Sequence, residues 1–303
     1  MALGHALRYF GVAFCLLIVG TTVSAQEDEA PLTMWEVTSD TNTVYLLGSI
    51  HLGSPDFYPM DPAIEAAFEE ASKLVVEADI SDPAVVEETQ ALVLQEGMYP
   101  EGETLWQNIS DDTADSLNAF CSVLELPSCN EAFASQEPWL AVLSAGVMPL
   151  MVNGFDLESG IDTYFLNKAR GTGKEIVEIE DATWQISLFT EESPEAMEAY
   201  LKESVDYVVD NPDYPQTWAE LYVAGDVAGM EAAISESYDA SDDFSQKLLQ
   251  DRNPGMAEVV EDNLEAAEPA FVMVGIAHLL GDGSVIELLE EQGYEVTQVR
   301  GEG

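Results

Sequence analysis

Histidine is scarce in this chain, and two of its three histidines arrive by the same local pattern. "VYLLGSIHLG", Val44 to Gly53, runs apolar into Gly48 and then, after two residues, His51. "FVMVGIAHLLG", Phe271 to Gly281, does the same with Gly275 and His278. A single histidine behind a strand is usually structural. Two produced by one pattern, in a chain whose third histidine, His5, lies in a segment expected to be removed, point to a shared task. Two neutral imidazoles with one carboxylate form a common open metal site that leaves a position for water. Carboxylates are available, since Glu77 follows the apolar run of "KLVVEAD" and Glu180 follows that of "KEIVEIED". In an open parallel sheet ligands gather beyond the carboxyl ends of the strands, so His51, Glu77, Glu180 and His278 are expected at one rim. Gly48 and Gly275 would let the chain turn and another group approach closely.

Other chemistries lack their residues. There is no H-E-x-x-H helix, no G-x-S-x-G elbow and no EF-hand loop. "GTGKE" at Gly171 has the glycines of a phosphate loop but not its spacing or its Ser/Thr, and reads as a turn.

The elements that must hold the histidines follow from periodicity. Met34 to Thr38 and Thr43 to Leu47 read as a hairpin around Ser39-Asp40-Thr41-Asn42. Asp61 as N-cap and Pro62 at the first position open an amphipathic helix, and "KLVVEAD" follows as a buried strand, giving a βαβ unit. The end of the chain repeats the theme with "AFVMVG", His278, "GSVIELLEEQG" and "YEVTQV". Between lie helical stretches at about 83–155 and 184–268, split by the helix "GIDTYFLNKARGTG" and the strand "KEIVEIED". The expectation is an α/β fold with a mixed, largely parallel sheet built from two strand-GxxH-helix-strand halves. Residues 26–303 would form one domain with a large helical middle.

Nine Lys plus Arg stand against 58 Asp plus Glu, a formal net charge of −49. Such a surface repels nucleic acid and anionic membranes. The acids are scattered through amphipathic segments, as expected of a surface kept soluble in a salty medium. Residues 1–25 carry Arg8, an apolar stretch from Phe10 to Gly20 and "VSA" before Gln26, the pattern of a secretory signal. The mature protein is therefore expected in the periplasm or outside the cell, with no stable membrane insertion. Cys121 and Cys129, eight residues apart around Pro127, suit a disulfide in that oxidising compartment.

Taken together and in order, these stretches resemble the TraB/GumN family, which includes the pheromone shutdown protein of enterococcal plasmids and the animal Tiki proteins. The resemblance rests on "WEVTSDTNTVYLLGSIHLG", "LVVEAD", "GIDTYFLNKARGTGKEIVEIED" with "TWQ", "DRNPGMAEVVEDNL" and the closing "FVMVGIAHLLGDGSVIELLEEQGYEVTQV". The family is similar in architecture to erythromycin esterase-like and ChaN-like proteins. Because Tiki members are regarded as metal-dependent proteases, the resemblance implies that His51, Glu77 and His278 hold a divalent ion such as Mn²⁺, Co²⁺ or Zn²⁺. Glu180 would be a further ligand or general base, and Arg252 would steady an oxyanion or a substrate carboxylate, or else order the carboxylates. Asn253 also matches a family position; its role and that of Asp162 stay open. The expected activity is a peptidase-like hydrolase acting on a peptide or small molecule. The alternative is a protein that sequesters a peptide, haem-like or polysaccharide ligand in connection with exopolysaccharide production.

Overall fold

The computed structural model describes residues 30–237 and 243–301. The expected signal segment, with His5, lies outside the described residues. Six strands form one sheet: β1 (Ala30–Thr38), β2 (Thr43–Ser49), β3 (Lys73–Val76), β4 (Glu175–Glu178), β5 (Ala270–Gly275) and β6 (Glu295–Gly301), in the order β4-β3-β5-β2-β1-β6. β1 and β2 are the expected antiparallel hairpin, and β6 pairs antiparallel with β1. β2, β5, β3 and β4 run parallel, so the sheet is mixed and mostly parallel, as the sequence implied.

Burial explains the order. The "AFVMV" run of β5 is buried throughout because the strand is central and covered on both faces, while β4 and β6 are partly exposed edges. The two halves are interleaved rather than side by side. β5 inserts between β2 and β3, so the first βαβ unit does not pair its own strands. Interleaving makes β2 and β5 neighbours, with Ser49 opposite Gly275. That register brings the two GxxH turns together.

The helix Pro62–Glu70 starts as read: the Asp61 side chain accepts the Ala63 N–H at 2.8 Å, and Pro62 occupies the first turn. Its Phe68 meets Phe165 of the helix Ile161–Thr172 and Phe271 of β5, with ring centroids 5.1 and 5.5 Å away. This aromatic group fastens the helical layer to the sheet. Truncating a fully buried ring such as Phe271 to alanine costs about 3–5 kcal/mol in cores of this kind.

The middle of the chain forms a second helical core. Helices Asp111–Val123, Pro138–Val152 and Pro194–Asp210 close around Leu117, Phe120, Ala141, Leu201 and Val205. Cys121 and Cys129 are joined there by a disulfide with Cα atoms 5.5 Å apart. Among the described residues no helix is long and apolar enough to cross a membrane.

Candidate functional site

The site is built where β2, β5, β3 and β4 end. Beyond the last strand residues the chain stays paired: the Ile179 N–H donates to the Val76 carbonyl and the Glu180 N–H to the Glu77 carbonyl at 2.7 Å. This continuation sets Glu77 and Glu180 side by side. Gly48 and Gly275 permit the close approaches expected of them. A Cβ on Gly48 would fall 2.2 Å from the Ile276 side chain, and one on Gly275 3.2 Å from Oε1 of Glu77.

His51 is half-exposed, with 52% of its side chain open to solvent. Its Nδ1 lies 3.0 Å from Oδ2 of Asp162, whose Oδ1 accepts the Ser49 hydroxyl at 2.8 Å. Asp162 sits in the first turn of the helix Ile161–Thr172, where the helix dipole favours a carboxylate. The pairing is set by backbone contact. The Ile161 N–H donates to the Ile50 carbonyl, and a Cβ on Gly160 would lie 2.1 Å from the His51 carbonyl oxygen. The Asp162 charge, against the opposing effect of burial, lifts His51 to about 9. At neutral pH His51 is an imidazolium.

His278 is its opposite. The ring is buried in the 3₁₀ turn Ile276–Leu279. Its Nδ1 is 2.7 Å from Oδ1 of Asn253, and the Asn253 amide nitrogen donates to the Gly283 carbonyl at 2.8 Å. The amide orientation assigned by that second bond leaves only oxygen to face the ring, so Nδ1 carries the hydrogen and Nε2 the lone pair. Burial pushes His278 down to about 4, and the ring is neutral at neutral pH. Nε2 looks toward Oε1 of Glu77 at 3.8 Å, beyond hydrogen-bond range.

Glu77 and Glu180 are held by one cation. Nε and Nη2 of Arg252 fork onto Glu180 at 3.0 and 2.6 Å, and Nη2 also reaches Oε2 of Glu77 at 2.7 Å. Nη1 donates to the Leu248 carbonyl. Gln185 bridges the two carboxylates at 3.2 and 2.8 Å, and the Gly275 N–H donates to Oε1 of Glu77. Burial alone would raise the Glu77 carboxyl. The two imidazoles, the guanidinium and the Gly275 N–H outweigh it and hold the group at about 2.

All five residues singled out for the site thus lie at one rim. Asp162 and Asn253 prove to be the groups that fix the two rings. Gln185 and Ser49 were not anticipated, although Gln185 lies within the "TWQ" that supports the resemblance. Arg252 spends its donors on Glu180, Glu77 and a carbonyl, which makes it a positioning residue for the carboxylates.

The fit to a divalent ion divides. Each imidazole has Nδ1 anchored by an oxygen and Nε2 turned away from that anchor, as metal-binding histidines do. Yet both Glu77 oxygens already accept hydrogen bonds, and Asp162 favours the protonated form of His51. Among the described residues no group of three or more His, Cys, Asp or Glu is placed to hold a metal ion. The three residues do not form a ready three-ligand centre.

Comparison with known proteins agrees with the motifs. The chain is 25% identical to the protein YbaP of Escherichia coli (strain K12), itself uncharacterized, over 247 residues that cover 81% of this chain and 87% of that one. The YbaP of Shigella flexneri matches to the same extent. No solved structure gives a significant match. The TraB/PrgY/gumN family model matches residues 33–298, a span containing both GxxH turns, Glu77, Glu180 and Arg252, and the chain belongs to that family.

Proposed function

We propose that this chain is an exported hydrolase of peptide-like substrates, in which His278 and Glu77 hold the attacking water and His51 supplies the acid. The observation that supports this most is the opposite setting of two histidines at one rim, one half-exposed against the Asp162 carboxylate and the other buried against the Asn253 amide oxygen. One is cationic beside Asp162 and the other neutral, with its Nε2 lone pair facing a carboxylate oxygen. Titratable groups whose environments push them apart are natural acid and base partners. Water between Glu77 Oε1 and His278 Nε2 can donate to both. As its oxygen bonds to the carbonyl carbon, His278 takes one proton. The C–N bond then breaks, and His51 gives a proton to the departing amine. Once the products leave, solvent returns a proton to the half-exposed His51, and water entering the cleft that both rings line takes the proton from His278. Arg252 and Gln185 keep Glu77 ionised and aimed.

A second reading is supported by the same pair of facing acceptors, because a cradle for water also suits a cation. There Mn²⁺, Co²⁺ or Zn²⁺ would be held by Glu77 and His278, with His51 as the ligand the resemblance adds. An ion so bound would lower the pKa of water. Export rests on the secretory pattern at the N-terminus and on the Cys121–Cys129 disulfide.

The test is turnover of a neutral peptide library by the mature protein with and without added metal, beside His51→Ala and His278→Ala variants checked by circular dichroism. Loss of about 10²–10⁴-fold in kcat/KM in folded variants supports the hydrolase. Stoichiometric metal lost with His278 supports the second reading. Binding without turnover in the parent would favour sequestration.

A further inference from the structure

Two clefts open beside His51, Glu77 and Arg252, and their walls are fastened differently. The first, of about 470 Å³, is walled on one side by the helix Tyr214–Val223, which buries Pro215 and Tyr222 and whose Tyr222 hydroxyl donates to the Gly48 carbonyl at 2.7 Å. The second, of about 550 Å³, is walled by the helices Pro83–Glu96 and Ala182–Thr190, which follow the adjacent parallel strands β3 and β4 and pack on each other. Neither of these two helices buries a residue. They give Val85, Thr89, Ile186 and Leu188 to the cleft, while Leu94 is 73% and Trp184 43% exposed. Apolar side chains toward the cleft and toward solvent, with none buried, mark a layer that is lightly held.

The pair has fastenings of two kinds. Toward the carboxyl ends of the helices, Val93 and Phe189 rest on the small cluster of Trp139, Met197 and Phe244, and the Trp139 indole donates to the Glu96 carbonyl at 3.1 Å. Toward the amino end of Ala182–Thr190 the hold is Gln185, whose amide nitrogen donates to Glu180 at 2.8 Å and to Glu77 at 3.2 Å. Hydrogen bonds to ionised carboxylates are the stronger kind, so one side chain ties this wall to the acidic pair. Asp181 alone separates Glu180 from the helix, and a tilt of the helix is therefore felt at Glu180.

We propose that these two helices form a gate over the second cleft, latched by Gln185 to the carboxylates that it orders. When the helices tilt outward the cleft opens, and Glu180 and Glu77 lose the two hydrogen bonds from Gln185. They are left to Arg252 and, for Glu77, the Gly275 N–H. Closing restores the full set of donors. Access to the cleft and ordering of the acidic pair are then one event, as in enzymes whose lids complete the site on closing. That the gate times hydrolysis rests on the reading above, whereas the movement itself does not.

Labelling of a thiol beneath the gate tests this. Cys121 and Cys129 are joined, so a cysteine introduced into residues 26–303 is the one free thiol. Leu143→Cys places it in the second cleft and Leu150→Cys in the first, both on the helix Pro138–Val152. Ile80→Cys is a further reporter in the second cleft, should Leu143→Cys disturb the packing. Each is reacted with fluorescein maleimide, a bulky thiol reagent, in the presence of Gln185 and with Gln185→Met, which keeps the bulk of the side chain and removes its donors. The expected result is labelling of Leu143→Cys and Ile80→Cys about tenfold or more faster with Gln185→Met, and of Leu150→Cys changed by less than about twofold. Equal rates in the second cleft with and without Gln185, or acceleration of all three cysteines alike, would overturn the gate. A responsive gate in a protein that turns over no peptide would defeat the hydrolase and leave the gate standing. Turnover with unresponsive cysteines would defeat the gate alone.

Discussion

Oδ1 of Asn253 lies 2.7 Å from Nδ1 of His278, and this contact decides which nitrogen of the ring faces Glu77. Asn253→Asp would replace a neutral acceptor with a charged one and raise the His278 pKa, turning the base into an imidazolium. We expect kcat/KM at neutral pH to fall about 10–100-fold, with the loss partly recovered at higher pH. Asn253→Ala should lower activity without that recovery, because the ring loses its anchor and not its neutrality.

The His51–Asp162 pair predicts a pH dependence of stability. The folded-state pKa of His51, about 9, lies above its ordinary 6.5, so the stabilisation is fully present below about pH 6.5 and is lost as pH rises toward 9. Exposure of the ring reduces its size but not its sign. Asp162→Asn should flatten this part of the stability curve in urea titrations. A parent curve that rises over the same interval would contradict the assignment.

Arg252→Met leaves Glu77 and Glu180 buried without their cation. Breaking a buried pair on one side costs about 3–5 kcal/mol, and the Tm should fall accordingly. Arg252→Met with Glu180→Gln should be less damaging than the single change, since one uncompensated charge has been removed.

The contact between the two GxxH turns predicts a coupled pair of substitutions. Gly48→Ala forces a methyl against Ile276, 2.2 Å from its Cδ1 and 3.1 Å from its Cβ. The expected cost is about 1–3 kcal/mol. Ile276→Ala should relieve part of it, so the double variant is more stable than the sum of the single effects predicts. Additive denaturation energies would show that the turns do not press on each other.

The fold and the anchors of the site were legible to different degrees. Periodicity gave the hairpin, the helix capped by Asp61 and the strand-end histidines, because each is decided within a dozen residues. The interleaving of β5 between β2 and β3 was not readable, since strand order depends on long-range pairing that leaves no local pattern. Asp162 and Asn253 were visible as residues but not as partners. Asp162 reaches His51 through the backbone contact at Gly160, and Asn253 reaches His278 through a loop that closes on Gly283. Arg252 stood out by the rarity of basic residues, and the structure gives it the ordering role because its donors converge on two carboxylates.

The central claim is that His51 and His278 hold opposite charge at neutral pH. His5 is the one other histidine of the sequence, so ¹⁵N-histidine NMR followed across pH on residues 26–303 tests it directly. The account predicts one ring, lost in His278→Ala, that is neutral with hydrogen on Nδ1 and titrates near 4. The other, lost in His51→Ala, should be doubly protonated at pH 7 and titrate near 9. Two rings titrating together near the ordinary 6.5, or hydrogen on Nε2 of a neutral His278, would contradict it.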